Sequence, residues 1–465
     1  MMYYRAIHIG LFFIMNFKKT LLSFSLCLFV GTAFASNFDL KETEKLALKG
    51  EDKAQYELGY AYYYGEGVPT NEAKGIEWLK TSAQQGNAKA QYELGNALYD
   101  ENIEGSHNHP VAIEWLTKSA NQNYADAQFL LGVIYSTDTG KPESYKKGLY
   151  YLELAAAQGN VYAQILSGTQ YLNGFMGAER DVQKAYKYFK AAADQGDITA
   201  QGQIAFLYLT GMGVKQDYEK AFNIFTELSK KGSEEAIYYL GYYYEKGIIV
   251  PQNYKKALEY YMQASDYSAA QNSIAKIYLK GLGVAKDNTK AFEWFLKSAE
   301  RDYPDSQYEI SSMYYQGIGV PKDIAKSFYW AQRAALLRHA KAQYILGTMY
   351  DSGSVVPQDD KMAFDWYSKA ANQGHVEAEY AVGNAYYLGL GVSENEDKAF
   401  EWINRAYQHG SLEAEYKLGF LYFSGEGVEK NMNKAFELWA SAEKKGHEDA
   451  GKVLRSMKSK VNANN

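Results

Sequence analysis

The chain has 465 residues, with 55 acids against 49 lysines and arginines, 44 tyrosines, 7 prolines and one cysteine. An acidic chain with no basic block is a poor match for nucleic acid, whose binding is dominated by lysine and arginine at phosphates. Scarce proline and abundant alanine favour helix, and the lone cysteine excludes a disulfide framework.

The first segment reads as a secretory signal. Lys18 and Lys19 precede the apolar run from Leu21 to Val30, and Thr32-Ala33-Phe34-Ala35 supplies an A-x-A cleavage site, with cleavage expected after Ala35. The run is short of the ~20 apolar residues of a membrane-spanning helix. Met15 stands as a second possible start just before this signal. Cys27 falls within the signal behind Leu26 rather than a small residue, so neither a lipid anchor nor a thiolate in the mature chain is expected. Residues 1–35 carry Arg5, Lys18 and Lys19 and no acid, so their loss leaves the chain more acidic.

Residues 36–53 read as a single helix ending at Gly50. Behind it the chain repeats itself. Trp294, Trp330, Trp366 and Trp402 stand 36 residues apart, and units start at Ala54, Ala90, Ala127, Ala163, Ala200, Ala236, Ala270, Ser306, Ala342, Ala378 and Ala414. A fixed period of this length means one supersecondary unit copied along the chain, and here eleven copies cover 54–449. Along the copies, the small residue at repeat position 1, the Leu at 5 and the Tyr at 9, which only Leu98 breaks, recur four apart on one helical face. Position 6 is always Gly, Ala or Ser, as at Gly59, Gly241, Ala275 and Gly419. A mid-helix Gly costs ~1 kcal/mol relative to Ala, so its recurrence predicts a close helix–helix approach.

A G-x-G-V turn follows, as in Gly65-Glu66-Gly67-Val68, and then a second helix carrying K-A-F-x-W, as in Lys398 to Trp402. Ala399, Trp402 and Ala406 form its apolar stripe. The indoles are expected to fill core space between their own helix pair and the next. Residues 450–465 read as a closing helix and tail. The lysines and Arg455 of this tail read as a solvated helix end.

Some units depart from the pattern. Asp100 to Pro110 replaces the G-x-G-V turn of the second, Ser136 to Ser144 that of the third, and Gly174 to Gly177 stretches the fourth. The sixth has a shortened second helix near Ser265 to Ser268. These read equally as contact loops, as a kink, or as drift.

Chemistry is sparse. His107 and His109 form an H-x-H loop near Glu101 and Glu104, short of the three or four converging ligands of a metal site, and read as a solvated turn. His375, His409 and His447 fall at inter-repeat turns with no evident partner set. Ser144 to Lys147 matches S-x-x-K without a following K-T-G. The paired glycines recur as turns, not phosphate loops. No catalytic, cofactor-binding or metal-ligating set is expected.

The combination A-x-Y-x-L-G-x-x-Y, G-x-G-V and K-A-x-x-W over 54–449 resembles the Sel-one-like repeat family, relatives of the tetratricopeptide repeat. The resemblance implies an all-α, right-handed superhelical solenoid of about eleven antiparallel helix pairs, with 36–53 and 450–465 as caps. It also implies that the first helices line a concave groove. Positions 7 and 10 vary among copies and share that face. Their aromatics Tyr60, Tyr63, Tyr242, Tyr315, Tyr387, Phe420 and Phe423 are the expected anchors for a protein or peptide partner.

The function so implied is a non-enzymatic adaptor, periplasmic or secreted, working in envelope complexes or against host proteins. It would have no nucleic-acid partner and no stable membrane insertion after signal cleavage. The alternative is a hydrolase acting on β-lactam or peptidoglycan substrates, as some secreted cysteine-rich relatives are labelled. Their repeat cysteine pairs have no counterpart here.

Overall fold

The computed structural model describes residues 39–99, 109–137 and 141–463. The expected signal, Cys27 and His107 lie outside the described residues. Among the described residues there are 24 α-helices and no strand. Two compact units divide the chain, Met1–Ala236 and Ile237–Asn465, and the all-α helix-pair solenoid expected from the repeats is the architecture of each.

The first unit opens with Leu40–Leu48. Its pairs are Asp52–Tyr64 with Glu72–Gln84, Ala88–Tyr99 with His109–Asn121, Ala125–Thr137 with Pro142–Ala157, Val161–Asn173 with Val182–Asp194, and Ile198–Thr210 with Tyr218–Lys230. Helix Glu234–Lys246 carries the division. Its successor, Tyr254–Gln263, has 10 residues where most second helices have 13, the shortening expected of the sixth repeat. The later pairs are Ser268–Lys280 with Asn288–Glu300, Pro304–Gln316 with Ile324–Leu336, Ala340–Ser352 with Asp360–Ala371, Val376–Leu388 with Glu396–Gln408, and Leu412–Ser424 with Met432–Lys444. Glu448–Ala463 ends the series.

Outside the second and third repeats, whose turns lie largely beyond the described residues, each pair closes with the same kind of turn. The first helix ends on a left-handed glycine, such as Gly65 at φ 77°. The second glycine of G-x-G has a separate task. A Cβ on Gly391 would strike the carbonyl of Asp360, at the start of the preceding second helix, so this glycine lets successive repeats touch. An Asn or Asp at repeat position 18 then caps the second helix. The Asn71 side chain accepts from the Lys74 N–H, while its own N–H donates to the carbonyl of Tyr62 at 2.7 Å. Asp217, Asp323 and Asn431 repeat both bonds. Such a cap contributes ~1 kcal/mol.

The interior is set by positions 6 and 26. The glycine at 6 lies directly under the side chain at 26, so that Gly59 faces Leu79, Gly347 faces Tyr367, Gly383 faces Ile403 and Gly419 faces Trp439. Leu79, Phe225, Tyr261, Phe295, Ile403 and Trp439 at this position are fully buried, as is Phe189, which faces Gly168 from one residue later in the stretched fourth repeat. The close approach predicted from the recurrent glycine is therefore real, and its partner is the residue after the tryptophan ladder. Ser311 breaks the rule consistently: the residue across from it is the small Ala331, and Ser311 donates to the Ser327 carbonyl instead.

The ladder itself is core, but its neighbour differs from the expectation. Trp366 clusters with Ala334 and Ala335 of the preceding second helix and with Ala342 and Leu346 of its own repeat. Trp402 packs likewise on Ala363, Tyr367, Ala378 and Val382. The neighbour these clusters show is the preceding unit, where the sequence pattern suggested the next. A cation three residues on covers the other indole face, with Lys369 Nζ 3.8 Å from the Trp366 centroid and Arg405 4.9 Å from that of Trp402.

Two further devices account for recurrent polar residues. The position-9 tyrosine is covered by the lysine of K-A-F, as in Lys74 on Tyr62, Lys184 on Tyr171 and Lys220 on Tyr208, at 3.9 to 4.1 Å from the ring. The buried glutamine at position 2 stitches repeats together. Gln55 donates to the Ala47 carbonyl and accepts from Gln85, and Gln343 does the same with Ala335 and Gln373. Burying an amide is tolerated because both ends are satisfied.

Candidate functional site

The seven expected anchors do not behave alike. Tyr315 is exposed, at 53% of its full accessible surface. Tyr60 and Tyr63 are half-buried against the cluster of Tyr56, Leu79 and Leu94. Phe420 and Phe423 pack on Trp439, with ring centroids 5.0 and 5.8 Å away. Tyr387 lies under Lys417 at 3.5 Å and donates to Glu426 at 3.1 Å. Tyr242 is half-buried beside Tyr239. All seven thus have intramolecular ring or packing contacts, and Tyr315, with Lys322 Nζ 5.5 Å from its ring centroid, is the most exposed of them.

The first-helix face of repeats 1 and 2 is filled by tyrosine. Tyr56, Tyr60 and Tyr64 stand one turn apart, with centroids 5.9 and 4.5 Å from one to the next. The Tyr64 hydroxyl donates to Glu93 at 2.8 Å, and Tyr92 leans on Tyr124 at 5.4 Å. Glu93 is buried beneath them. Burial pushes its carboxyl up to about 7, the Tyr64 hydrogen bond opposing and the Asp126 charge adding to the shift.

The corresponding face between repeats 9 and 10 is open. A cleft of about 500 Å³ lies between helices Ala340–Ser352 and Val376–Leu388. Its walls are Tyr344 and Tyr380, at repeat position 3, and its position-7 residues are the small Thr348 and Asn384. Four carboxylates line it, Asp351, Asp360, Glu377 and Glu413, and no lysine or arginine does. Leu388 and Leu390 stand at its edge, 59% and 41% exposed. Burial and the charges of Glu377 and Asp351 raise the Tyr344 pKa, and burial with Glu413 in the same direction raises that of Tyr380. Two other hollows, of about 570 and 640 Å³, are lined by turn residues and by the Tyr208 and Tyr171–Lys184 positions of the repeat consensus, and so belong to the architecture.

Part of the variable position-10 row answers residues of the second helix. Asp351 accepts from the Tyr367 hydroxyl at 3.2 Å, and Glu245 accepts from Tyr261 at 2.6 Å. Tyr261 and Tyr367 are the tyrosines at position 26, and each has an acid sixteen residues earlier. These acids answer a buried hydroxyl, as a polar group in the core requires.

The inter-repeat histidines do have partners, contrary to the reading of the sequence alone. His375 stacks on Tyr344 at 4.8 Å and His447 on Tyr416 at 4.1 Å, while His409 Nδ1 lies 2.7 Å from Glu379. Glu379 and Glu415 replace the stitching glutamine of position 2, and His409 and Lys445 replace its amide donor. Burial holds His375 below the ordinary histidine pKa. Lys147 of the S-x-x-K match reaches the Tyr135 hydroxyl at 2.8 Å, which is the consensus Tyr–Lys pair. Among the described residues no three His, Cys, Asp or Glu side chains converge as a metal site, and no helix is long and apolar enough to cross a membrane.

A family model described as Sel1 repeat matches eleven segments in succession, from 52–87 to 412–447. Each match starts about two residues ahead of the repeat boundary used above. The crystal structure of c5321, a protective antigen present in uropathogenic Escherichia coli strains and displaying an SLR fold, is similar at 30% identity over 91% of each chain, with a TM-score of 0.50. A Sel1 repeat protein from Oxalobacter formigenes is 32% identical over 66% of this chain and 90% of its own, with a TM-score of 0.45. No curated protein matches.

Proposed function

The chain belongs to the Sel1 repeat family, and from that premise we propose that it is a non-enzymatic adaptor, exported to the periplasm or beyond, that holds a protein or peptide in the first-helix cleft of repeats 9 and 10. Sel1 repeats form protein-interaction scaffolds. The observation that carries the reading is the open cleft. It is concave, walled by aromatic side chains that lose little entropy on binding, and built on rigid helices. The similar E. coli protein is a protective antigen, which supports a location reached from outside the cytoplasm. The signal-like segment ending at Ala35 supports it too.

Photo-crosslinking in intact cells tests this. A photoreactive residue placed at Asn384 should yield a discrete protein adduct, whereas one at Tyr329, exposed on the second helix Ile324–Leu336, should not. Equal labelling from the two sites would remove the cleft assignment. Mass analysis of the N-terminus from fractionated cells checks export, which predicts a chain beginning at Ser36. A nitrocefin assay on purified protein separates the adaptor from the hydrolase, since turnover abolished by one point mutation would establish the enzyme.

A further inference from the structure

We propose that the cleft between repeats 9 and 10 takes an arginine side chain set beside a bulky apolar residue in a peptide segment of the partner, an inference that rests on reading this cleft as the partner site. Charge comes first. Asp351, Asp360, Glu377 and Glu413 line the cleft without a lysine or arginine among the lining residues. The histidines at its margin do little to offset them. His375 lies 3.3 Å from Glu377 but is buried and held toward its neutral form, and His447, 3.3 Å from Glu413, is committed to its stack on Tyr416.

Spacing then decides which cation fits. The carboxylates are distributed around the cleft and do not gather as a metal-ligand set, whereas a compact divalent ion needs six to eight oxygens in one shell. A guanidinium is broad, planar and rich in donors, and it stacks on aromatic faces, so it can engage Tyr344 or Tyr380 and carboxylates on more than one side. The same chain already uses this pairing in its own fold, where Arg405 covers Trp402 and Lys417 covers Tyr387. The apolar neighbour follows from the edge. Leu388 and Leu390 are exposed large hydrophobics at the mouth of an otherwise polar cleft, and an apolar side chain beside the arginine would cover them. A cleft of about 500 Å³ falls in the usual size range for such an insertion.

The test uses the full chain and a fluorescent twelve-residue peptide carrying Leu-Arg pairs, with a control in which citrulline replaces each arginine. Citrulline keeps the shape and removes the charge. Anisotropy should show the arginine peptide binding at least about tenfold more tightly, the scale expected of charge-assisted contacts. The joint substitution Asp351→Asn, Glu377→Gln, Glu413→Gln should lose the same factor. Neutralising the distant exposed acids Glu219 and Glu259 should not, which separates the cleft from general attraction to an acidic protein. Asn384→Tyr, which fills the cleft and leaves its charges, should also abolish binding. Equal affinity for the arginine and citrulline peptides overturns the arginine proposal; if Asn384→Tyr still blocks both, the cleft remains the partner site. If neither the acids nor Asn384→Tyr alters binding, the arginine proposal falls, and a lack of crosslinks from position 384 would show that the cleft reading has fallen with it. Circular dichroism confirms that each variant keeps its helical content.

Discussion

Repeats 1 and 2 and repeats 9 and 10 place residues at the same positions of the same unit and arrive at opposite surfaces. In the first pair, position 7 is Tyr60 or Asn96, Tyr64 follows Tyr60 one turn on, and the two rings close over the buried Glu93. In the second, position 7 is Thr348 or Asn384, nothing reaches across, and a cleft lined by exposed carboxylates remains. The backbone unit is shared, so the two faces are separated by side-chain volume, with Tyr60 and Tyr64 in one pair against Thr348 and Ser352 in the other. A buried acid is therefore a stability cost in one region, and exposed acids are the proposed binding feature in the other.

The largest effect expected from this comparison is at Tyr64. Tyr64→Ala removes a ring packed on Tyr60 and Tyr63 and strands Glu93 without its donor. A loss of ~3–5 kcal/mol is expected, as for other large aromatic truncations. Because stability in repeat arrays is carried by nearest neighbours, hydrogen exchange should lose protection in residues 52–137 and be unchanged in repeats 9 and 10. The matching truncation in the open region, Ser352→Ala, should be nearly silent.

Glu93 gives the next effect, and it is pH-dependent. Its folded pKa is raised to about 7 by burial, above the ordinary carboxyl value. Between the two values the folded state holds more protons than the unfolded one, so stability falls as pH rises through that window and the full penalty is present above about pH 7. Glu93→Gln keeps an acceptor for the Tyr64 hydroxyl and removes the ionisation. It should raise local stability by roughly 2–3 kcal/mol at pH 8 and by nothing at pH 4, read by urea titration. A flat difference across pH would show that the carboxyl is not desolvated by its tyrosines.

A smaller effect separates packing from recognition inside the cleft. Asp351 lies on the first-helix face but accepts from the buried Tyr367. A double-mutant cycle of Asp351→Asn and Tyr367→Phe should return a coupling of ~1 kcal/mol, that of one hydrogen bond. Zero coupling would leave Asp351 wholly to the ligand.

These cases show what was legible in the sequence. The periodicity of Tyr, Gly and Trp was enough for the helix pairs, because a strict internal repeat reports the same packing eleven times over. The site was harder. Variation between copies reads as freedom from structural duty, yet Glu245 and Asp351 accept from the buried Tyr261 and Tyr367, and Phe420 and Phe423 pack on Trp439 at position 26. The signal for both was the pairing of positions 10 and 26, sixteen residues apart, which a column-by-column reading does not join. The cleft had its own signal in Ser312, Thr348 and Asn384, three successive small polar residues at position 7. A search for large aromatic anchors passes over such a run.

Asn384→Tyr puts at position 7 of repeat 10 the residue that position 7 of repeat 1 already holds. Asn384 is half-buried beside an open space, so a ring should enter it without displacing backbone, and the change in stability should stay within about 0.5 kcal/mol. Its consequence lies elsewhere. If side-chain volume at position 7 alone sets the width of this face, the ring should close over Tyr380 as Tyr60 closes over Tyr56, and solvent access to the cleft carboxylates should fall. Carboxyl labelling with a water-soluble carbodiimide, read peptide by peptide, reports this directly. Reduced labelling at Asp351, with Glu219 unchanged, would make the two regions variants of one device. Undiminished labelling would mean that the closed face of repeats 1 and 2 needs more than its tyrosine, with Tyr64 and its bond to Glu93 as the missing part.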